Sequence, residues 1–168
     1  MAEERRLNIF GEIDLGTYSH VVNALSYLQL KDPKQPIDII MNTRGGSVVD
    51  GLAMYDVIKK VSEKTPVHIT ASGACMSMGT IILQAASKRY AHPHAEFLLH
   101  EIQYASSGSH SANTEQSETA KRLQNVLFDI LASKMKISRK EIDRLTFRSN
   151  YTFPATEALK IGLIDKIL

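Results

Sequence analysis

A serine within a run of small residues is the first candidate for chemistry in this sequence. Ser77 lies in the segment GACMSMG at residues 73–79, which follows the strand-like residues 67–70 and precedes an apolar segment at residues 80–86. At a strand-to-helix junction, unpaired backbone N–H groups and the positive end of the helix dipole stabilise a developing oxyanion. Ser77 is therefore a candidate nucleophile, and the alternative is that its hydroxyl caps the helix.

A pair of glycines is the second candidate element. The sequence NTRGGS at residues 42–47 directly follows the strand-like residues 37–41. Adjacent glycines allow positive φ angles and let the backbone approach a bound group closely, so an N–H here is a candidate oxyanion donor. A tight structural turn before a helix would need the same glycines. The segment lacks the Lys-Ser/Thr pair of a phosphate-binding loop, so it does not indicate a nucleotide site.

A serine nucleophile needs a general base, and the sequence contains six histidines. His100 follows the apolar residues 97–99, and sites in open α/β sheets assemble at the C-terminal ends of strands. His92 and His94 share one face of an extended segment, but no carboxylate or thiol accompanies them at metal-site spacing. We therefore expect these two to be exposed to solvent, and no metal site. The other three lie on a polar helical face, in a strand and in the linker before a long helix: His20, His68 and His110.

Length and composition indicate one globular domain at residues 1–168. A chain of 168 residues with 43% hydrophobic content can bury one full core. The net charge is +2 and the basic residues are scattered, which implies neither nucleic acid nor an anionic membrane as a partner. One cysteine excludes an internal disulfide, and its expected role is that of a small buried residue. Neither a signal peptide nor a membrane-spanning run is recognisable, so we expect a cytoplasmic protein.

The alternation of strand-like and helix-like segments predicts an α/β fold. The strand-like runs are continuous rather than alternating, which is typical of strands covered on both faces. Helical patterns separate them, so the chain reads as βαβ units with right-handed crossovers. The predicted strands are residues 7–10, 37–41, 67–70, 96–99 and 163–168, and the predicted helices include residues 21–28, 48–58 and a short one between Pro154 and Gly162.

One helical pattern is too long for a domain of this size. Residues 113–136 carry apolar side chains three or four positions apart, and Asn113 with Gln116 resembles a capping box. A helix of about 24 residues spans roughly 36 Å, so we expect it to project and to pack on another subunit. The preceding residues 105–112 lack apolar periodicity and are expected to be mobile.

Taken in order along the chain, these motifs resemble one known family. The pattern Gly-x-x-x-Ser-Met-Gly around Ser77, the earlier glycine pair and the later His100 are similar to the proteolytic subunits of the caseinolytic (Clp) protease. The similarity covers nearly the whole chain. Further matching segments are GEID at 11–14, LAMYD at 52–56, SKR at 87–89 and EALKIGLID at 157–165.

The resemblance implies a Clp protease and crotonase type of α/β fold, built from repeated ββα units. The long helix would be a handle, in a region of about residues 105–136, that joins two stacked seven-membered rings of identical chains. The activity implied is ATP-dependent serine endopeptidase chemistry on unfolded polypeptides inside a closed chamber. No cofactor is required, and an AAA+ Clp ATPase unfoldase is the possible partner.

Carried over by position, the resemblance assigns a role to each candidate. Ser77 is the nucleophile, His100 is the general base, and the N–H groups of Gly46 and Met78 bind the oxyanion. The family's triad aspartate corresponds to Asn150, whose oxygen can orient an imidazole but cannot offset its positive charge. Asp143 is the nearest acidic alternative, within a helix that a capping box at residues 138–141 predicts.

Two departures leave other readings open. Family members carry pore-lining loops before the first strand, whereas strand-like residues begin here at Leu7, so docking of the unfoldase is an open question. Because Asn150 stands where the family carries an aspartate, a weakly active or inactive ring-scaffold subunit is an alternative. A phage-type or signal-peptide-peptidase-like protease of the same fold is a further alternative, and acyl-CoA chemistry of the crotonase type is disfavoured by Ser77 and His100.

Overall fold

Strands that alternate with helices form a seven-stranded sheet in the computed structural model, which describes residues 5–105 and 107–168. The first part of the chain comprises β1 (Arg6–Ile13), α1 (Leu15–Lys31), β2 (Ile37–Gly46), α2 (Val48–Ser62), β3 (Val67–Met76), α3 (Met78–Leu83) and β4 (Lys88–Ala91). The second part comprises β5 (Glu96–Leu99), α4 (His110–Ala132), α5 (Arg139–Thr146), β6 (Tyr151–Pro154), α6 (Ala155–Lys160) and β7 (Lys166–Ile167).

The strand order is β1-β2-β3-β4-β7, with parallel neighbours throughout. Outside this order, β5 pairs with β3, and β6 pairs with β5. The first half of β3 pairs with β4, whereas its second half, from Ala74 to Met76, pairs in parallel with β5. Strand β6 then runs antiparallel to β5. The C-terminal ends of β3 and β5 are therefore neighbours, and they carry Ser77 and His100.

Strands β1 and β2 are covered on one face rather than on both, which corrects the expectation from sequence for these two strands. Burial alternates along β1 and β2, with Ile9 and Ile39 inside and Asn8 and Asp38 exposed. Helices α1, α2 and α3 pack against one another and against the inner face, where their apolar side chains join a continuous core. The runs look continuous in sequence because some outward positions, such as Ile40, are apolar as well.

Three strands extend further than their apolar runs predict. Strand β1 continues to Ile13, β2 continues through both glycines to Gly46, and β3 continues through the small residues to Met76. The small-residue segments at 42–47 and 73–79 are therefore largely strand rather than turn. The glycines of β2 and β3 have positive φ angles but lie within the strands, where such angles produce local irregularities. Strand β5 has the bounds predicted, whereas the final strand is only Lys166–Ile167.

The long helix is displaced from its predicted bounds. Helix α4 begins at His110 and its N-cap is Ser109, whose hydroxyl accepts a hydrogen bond from the N–H of Ala112, so the capping box at Asn113 is wrong. The helix ends at Ala132, because the chain then turns and Lys136 bonds through its N–H to the carbonyl of Ile161. Of the segment expected to be mobile, residues 110–112 are helical and Ser106 lies outside the described residues.

Only the C-terminal part of α4 is buried against its own domain. Leu127, Phe128 and Leu131 join the core, whereas most of the polar first half is exposed. Two members of the apolar stripe that was expected to face another subunit, Leu127 and Leu131, therefore pack within the protomer. Within residues 5–105 and 107–168, no helix is both long enough and apolar enough to cross a bilayer.

Candidate active site

Ser77 and His100 are in hydrogen-bond contact. The hydroxyl Oγ of Ser77 lies 2.8 Å from Nε2 of His100. Ser77 precedes the first residue of α3, and its side chain makes no capping hydrogen bond. The capping alternative is therefore wrong, and the hydroxyl is placed where the imidazole can accept its proton.

The backbone at Ser77 adopts an unusual conformation, with φ of 52° and ψ of −122°. A residue with a side chain adopts positive φ rarely, and such residues concentrate at functional sites. Bonds on both sides hold this conformation. The Ser77 N–H donates to Leu98 O at 2.9 Å, and Thr80 donates to Ser77 O through both its N–H and its hydroxyl.

The pairing of β3 with β5 positions the two side chains. Met76 and Leu98 are the last partners of this parallel ladder, and the bond from Ser77 to Leu98 extends it by one step. His100 lies two residues beyond Leu98, at the end of β5. Residues that are 23 positions apart in sequence thus meet because their strands are neighbours.

Burial sets the protonation state of the imidazole. The surroundings of His100 lower its pKa, because they disfavour the charged ring, and the backbone of Glu101 opposes this shift only in part. The imidazole is therefore neutral at pH 7, which is the state that a general base requires.

The glycine pair lies directly beside the serine. Gly45 has a φ of +104°, and a Cβ atom there would lie 2.7 Å from Cβ of Ser77. Gly46 has a φ of +150°, and a Cβ atom there would lie 2.3 Å from the carbonyl oxygen of Ile13. The N–H of Gly45 donates to Oγ1 of Thr43, whose hydroxyl in turn donates to the carbonyl of Gly11. Side chains at either glycine would separate β2 from its neighbours, so both positions require glycine.

A cavity of about 120 Å³ opens beside Ser77 and His100. Gly46 and Met78, the two candidate oxyanion donors, lie on its wall. Helix α4 supplies the opposite wall, which the sequence pattern did not indicate, because the apolar stripe of α4 predicts a subunit contact instead. The apolar residues lining the cavity include Val48, Ile81, Ile102, Leu127, Phe128 and Leu131.

Asn150 lies near His100 without bonding to it. Strands β5 and β6 pair as far as Leu99 with Tyr151, so His100 directly follows β5 and Asn150 directly precedes β6. Both line a second cavity, of about 340 Å³. Nδ1 of His100 is buried and has no hydrogen-bond partner among the described residues.

The acidic alternative, Asp143, is not brought to the histidine. It lies in α5, which begins after the predicted N-cap Ser138, and its carboxylate bonds to Arg139 at 3.3 Å. Neither cavity beside His100 includes Asp143 in its lining.

The remaining candidates for chemistry lie apart from this site. His92 and His94 are exposed as expected, and Nδ1 of His92 lies 3.1 Å from Oγ of Ser72. No cluster of three or more potential metal ligands occurs within the described ranges. Cys75 is fully buried, which raises the pKa of its thiol and leaves it unreactive.

Two comparisons with known proteins agree with this geometry. The family model described as Clp protease matches residues 1–168. The chain is also similar to the ATP-dependent Clp protease proteolytic subunit 1 of Protochlamydia amoebophila strain UWE25. The two are 31% identical over 174 aligned residues, which cover 99% of this chain and 81% of the relative.

Proposed function

Because the chain belongs to the Clp protease family and is therefore a peptide hydrolase of the serine type, we propose that it is an endopeptidase acting on unfolded polypeptides through Ser77, His100 and Asn150. The observation that carries the proposal is the 2.8 Å contact between Ser77 Oγ and His100 Nε2, at a serine with positive φ and no capping role.

In the proposed reaction, Ser77 Oγ attacks the carbonyl carbon of a peptide bond while His100 Nε2 takes the hydroxyl proton. The negative charge that develops on the carbonyl oxygen is stabilised by the N–H groups of Gly46 and Met78. His100 then gives the proton to the departing amine, which leaves an ester on Ser77. A water molecule, deprotonated by His100, hydrolyses this ester and restores the free hydroxyl.

Asn150 is proposed to orient the imidazole. Its side-chain oxygen would accept the hydrogen of His100 Nδ1–H, which fixes the tautomer with Nε2 free to accept from Ser77. The register of β5 and β6 supports this role, since Asn150 lies opposite His100 across the cavity that they share. A neutral amide supplies no charge to the imidazolium, so we expect a lower rate than an aspartate would give.

The substrate is proposed to lie extended beside the glycine segment and the strand leading to His100, pairing through its backbone. The side chain preceding the cleaved bond would then enter the cavity of about 120 Å³ beside Ser77. Because Ile81, Leu127 and Leu131 line that cavity, we expect a preference for an apolar residue such as leucine or methionine.

Family membership implies a ring oligomer that works with Clp ATPases in general. The finer proposal is a homo-oligomer of two stacked seven-membered rings, joined through α4 as a handle and fed by an AAA+ unfoldase. The exposed polar half of α4 supports it, because among the described residues the members of the core that α4 contributes come from its C-terminal half. A single domain at residues 1–168, a cytoplasmic location and the absence of any cofactor stay predictions.

The second candidate function is that of a weakly active or inactive ring-scaffold subunit. It is favoured by one observation, that His100 Nδ1 is buried and has no partner in the part of the chain that the structure describes, while Asn150 is exposed. A histidine that nothing orients would activate Ser77 poorly.

Labelling with a fluorophosphonate probe, together with hydrolysis of a fluorogenic peptide, distinguishes the two. We expect the wild-type protein to be labelled at Ser77, and Ser77→Ala and His100→Ala to abolish both signals. Ser72→Ala is the matched control, because Ser72 also contacts a histidine, His92, but lies outside the cavity. Peptide hydrolysis that persists in Ser77→Ala would contradict the mechanism, and failure to label the wild-type protein would support the scaffold.

A further inference from the structure

We propose that Glu101 is a positioning residue, whose carboxylate holds a bend of the backbone at Arg148 and thereby keeps Asn150 beside His100. The inference rests on the proposed role of Asn150. In this proposal, the contact between Glu101 and Arg148, outside the triad itself, controls the orientation of His100.

The contact lies just beyond the paired ends of two strands. The ladder of β5 and β6 ends with Leu99 and Tyr151, and the strands stop there. Two residues after the end of β5, Oε2 of Glu101 accepts a hydrogen bond of 3.0 Å from the backbone N–H of Arg148. His100 and Asn150 are therefore enclosed between the last ladder pair and this second connection.

The bend that Glu101 contacts is one that the chain would otherwise avoid. Arg148 has a φ of 52°, and it shares this property with only Ser77 among the described residues other than glycine. An arginine in the left-handed region is strained, so surrounding contacts must hold it there. Besides Glu101, the hydrogen bond from the N–H of Ser149 to the carbonyl of Thr146, at 3.1 Å, supports the bend.

Asn150 borders open space rather than the packed core. The space between it and His100 is a cavity of about 340 Å³, and Asn150 itself is exposed. The hydrogen bond that the Arg148 N–H donates to the Glu101 carboxylate is therefore a restraint on the segment that leads to Asn150. The carboxylate acts on the backbone rather than on the imidazole, because it bonds to the Arg148 N–H and His100 Nδ1 has no hydrogen-bond partner in residues 5–105 and 107–168.

Substitution of Glu101 tests the inference in the assembled protein. We expect Glu101→Ala to lower kcat for a short apolar peptide by between about tenfold and a hundredfold, since a small displacement of a catalytic group has an effect of that size. KM should change less than kcat because, although Glu101 also lines the cavity beside Ser77, the apolar lining comes from other residues, including Ile81, Leu127 and Leu131. Glu101→Gln keeps an acceptor oxygen and should restore most of the rate. The matched control is Glu63→Ala, which removes an exposed glutamate that bonds to Lys60 on α2, far along the chain from the site.

A double-mutant cycle separates this inference from the proposed function on which it rests. If Glu101 acts through Asn150, adding Glu101→Ala to Asn150→Ala should cause no further loss. Additive losses, or a Glu101→Gln protein as slow as Glu101→Ala, would overturn the positioning role while leaving the triad intact. If Asn150→Ala alone has no effect, the proposed triad fails, and this inference fails with it.

The backbone conformation can be tested directly. Glycine adopts positive φ without strain, so Arg148→Gly should recover part of the kcat that Glu101→Ala loses. Glu101→Gln should also keep the wild-type pH dependence of fluorophosphonate labelling, because a positioning role needs no charge. A shift of that profile to lower pH in Glu101→Gln would show that the charge of Glu101 acts on His100 and would overturn the proposal.

Discussion

A methyl group on Gly45 would lie 2.7 Å from Cβ of Ser77, closer than two carbon atoms approach without displacement. It would also lie 3.2 Å from the backbone nitrogen of Met78. The backbone next to one candidate oxyanion donor, Gly46, is therefore in direct contact with the nucleophile and with the other donor. An added side chain at Gly45 would therefore displace the nucleophile or the Met78 donor.

We predict that Gly45→Ala lowers peptide hydrolysis by about a hundredfold or more, because the added methyl group displaces Ser77 from His100. The measurement is kcat/KM on a fluorogenic peptide. Gly11→Ala is the matched control: its φ of +83° imposes a similar backbone strain, but a Cβ atom there has nothing within 4 Å. Equal losses in the two variants would attribute the effect to strain and contradict the steric account.

The pH dependence of labelling should reflect the burial of His100. Its pKa is lowered below the ordinary value of 6.5, and only the neutral ring accepts the proton of Ser77. The acid limb of the rate should therefore have its midpoint below pH 6.5. The measurement is the second-order rate constant of fluorophosphonate labelling against pH. An acid limb centred above 6.5 would show that the ring is stabilised in its charged form.

The same burial makes a prediction about stability. A histidine whose folded pKa is below its unfolded pKa binds a proton more readily when the chain unfolds. The free energy of unfolding should therefore decrease as pH falls below 6.5. In His100→Gln this decrease should be smaller. Denaturant unfolding at pH 7 and pH 5 measures it, and an identical decrease in both proteins would contradict the prediction.

Replacement of Asn150 by aspartate should increase activity. An anion beside His100 stabilises the imidazolium in the transition state, so kcat should rise, by up to a few orders of magnitude if chemistry limits turnover. The same anion should raise the pKa of His100 and move the acid limb of labelling to higher pH. Asn150→Ala should lower the rate. If neither substitution changes hydrolysis, Asn150 is not the third member, and a Ser-His dyad becomes the better account.

Assembly should depend on the region that precedes and begins α4. Light scattering should give a mass many times 18.7 kDa. Tyr104 is 49% exposed and lines an apolar groove with Leu123 of α4, so Tyr104→Asp should reduce the mass. Tyr27→Asp, at a comparably exposed tyrosine on α1, should not. An active monomer would refute the proposed assembly.

The sequence was sufficient to identify the chemistry and the class of fold. Ser77, the glycine pair and His100 stand at the ends of apolar runs, and the C-terminal ends of neighbouring strands converge in α/β sheets. The family and the α/β fold are confirmed, since the family model matches the whole chain and a parallel sheet carries the helices. Local signals also located β5 and the N-cap of α5, because both depend on residues close in sequence.

Only the tertiary structure decided which residues surround the serine and how. No local pattern shows that β3 leaves β4 and pairs with β5, yet this exchange brings Ser77 to His100. Likewise, the apolar stripe of α4 is the same in sequence whether it faces a subunit or a cavity. The contact of Glu101 with Arg148 joins residues 47 positions apart. Such contacts depend on strand order and packing, which are properties of the whole chain rather than of any segment.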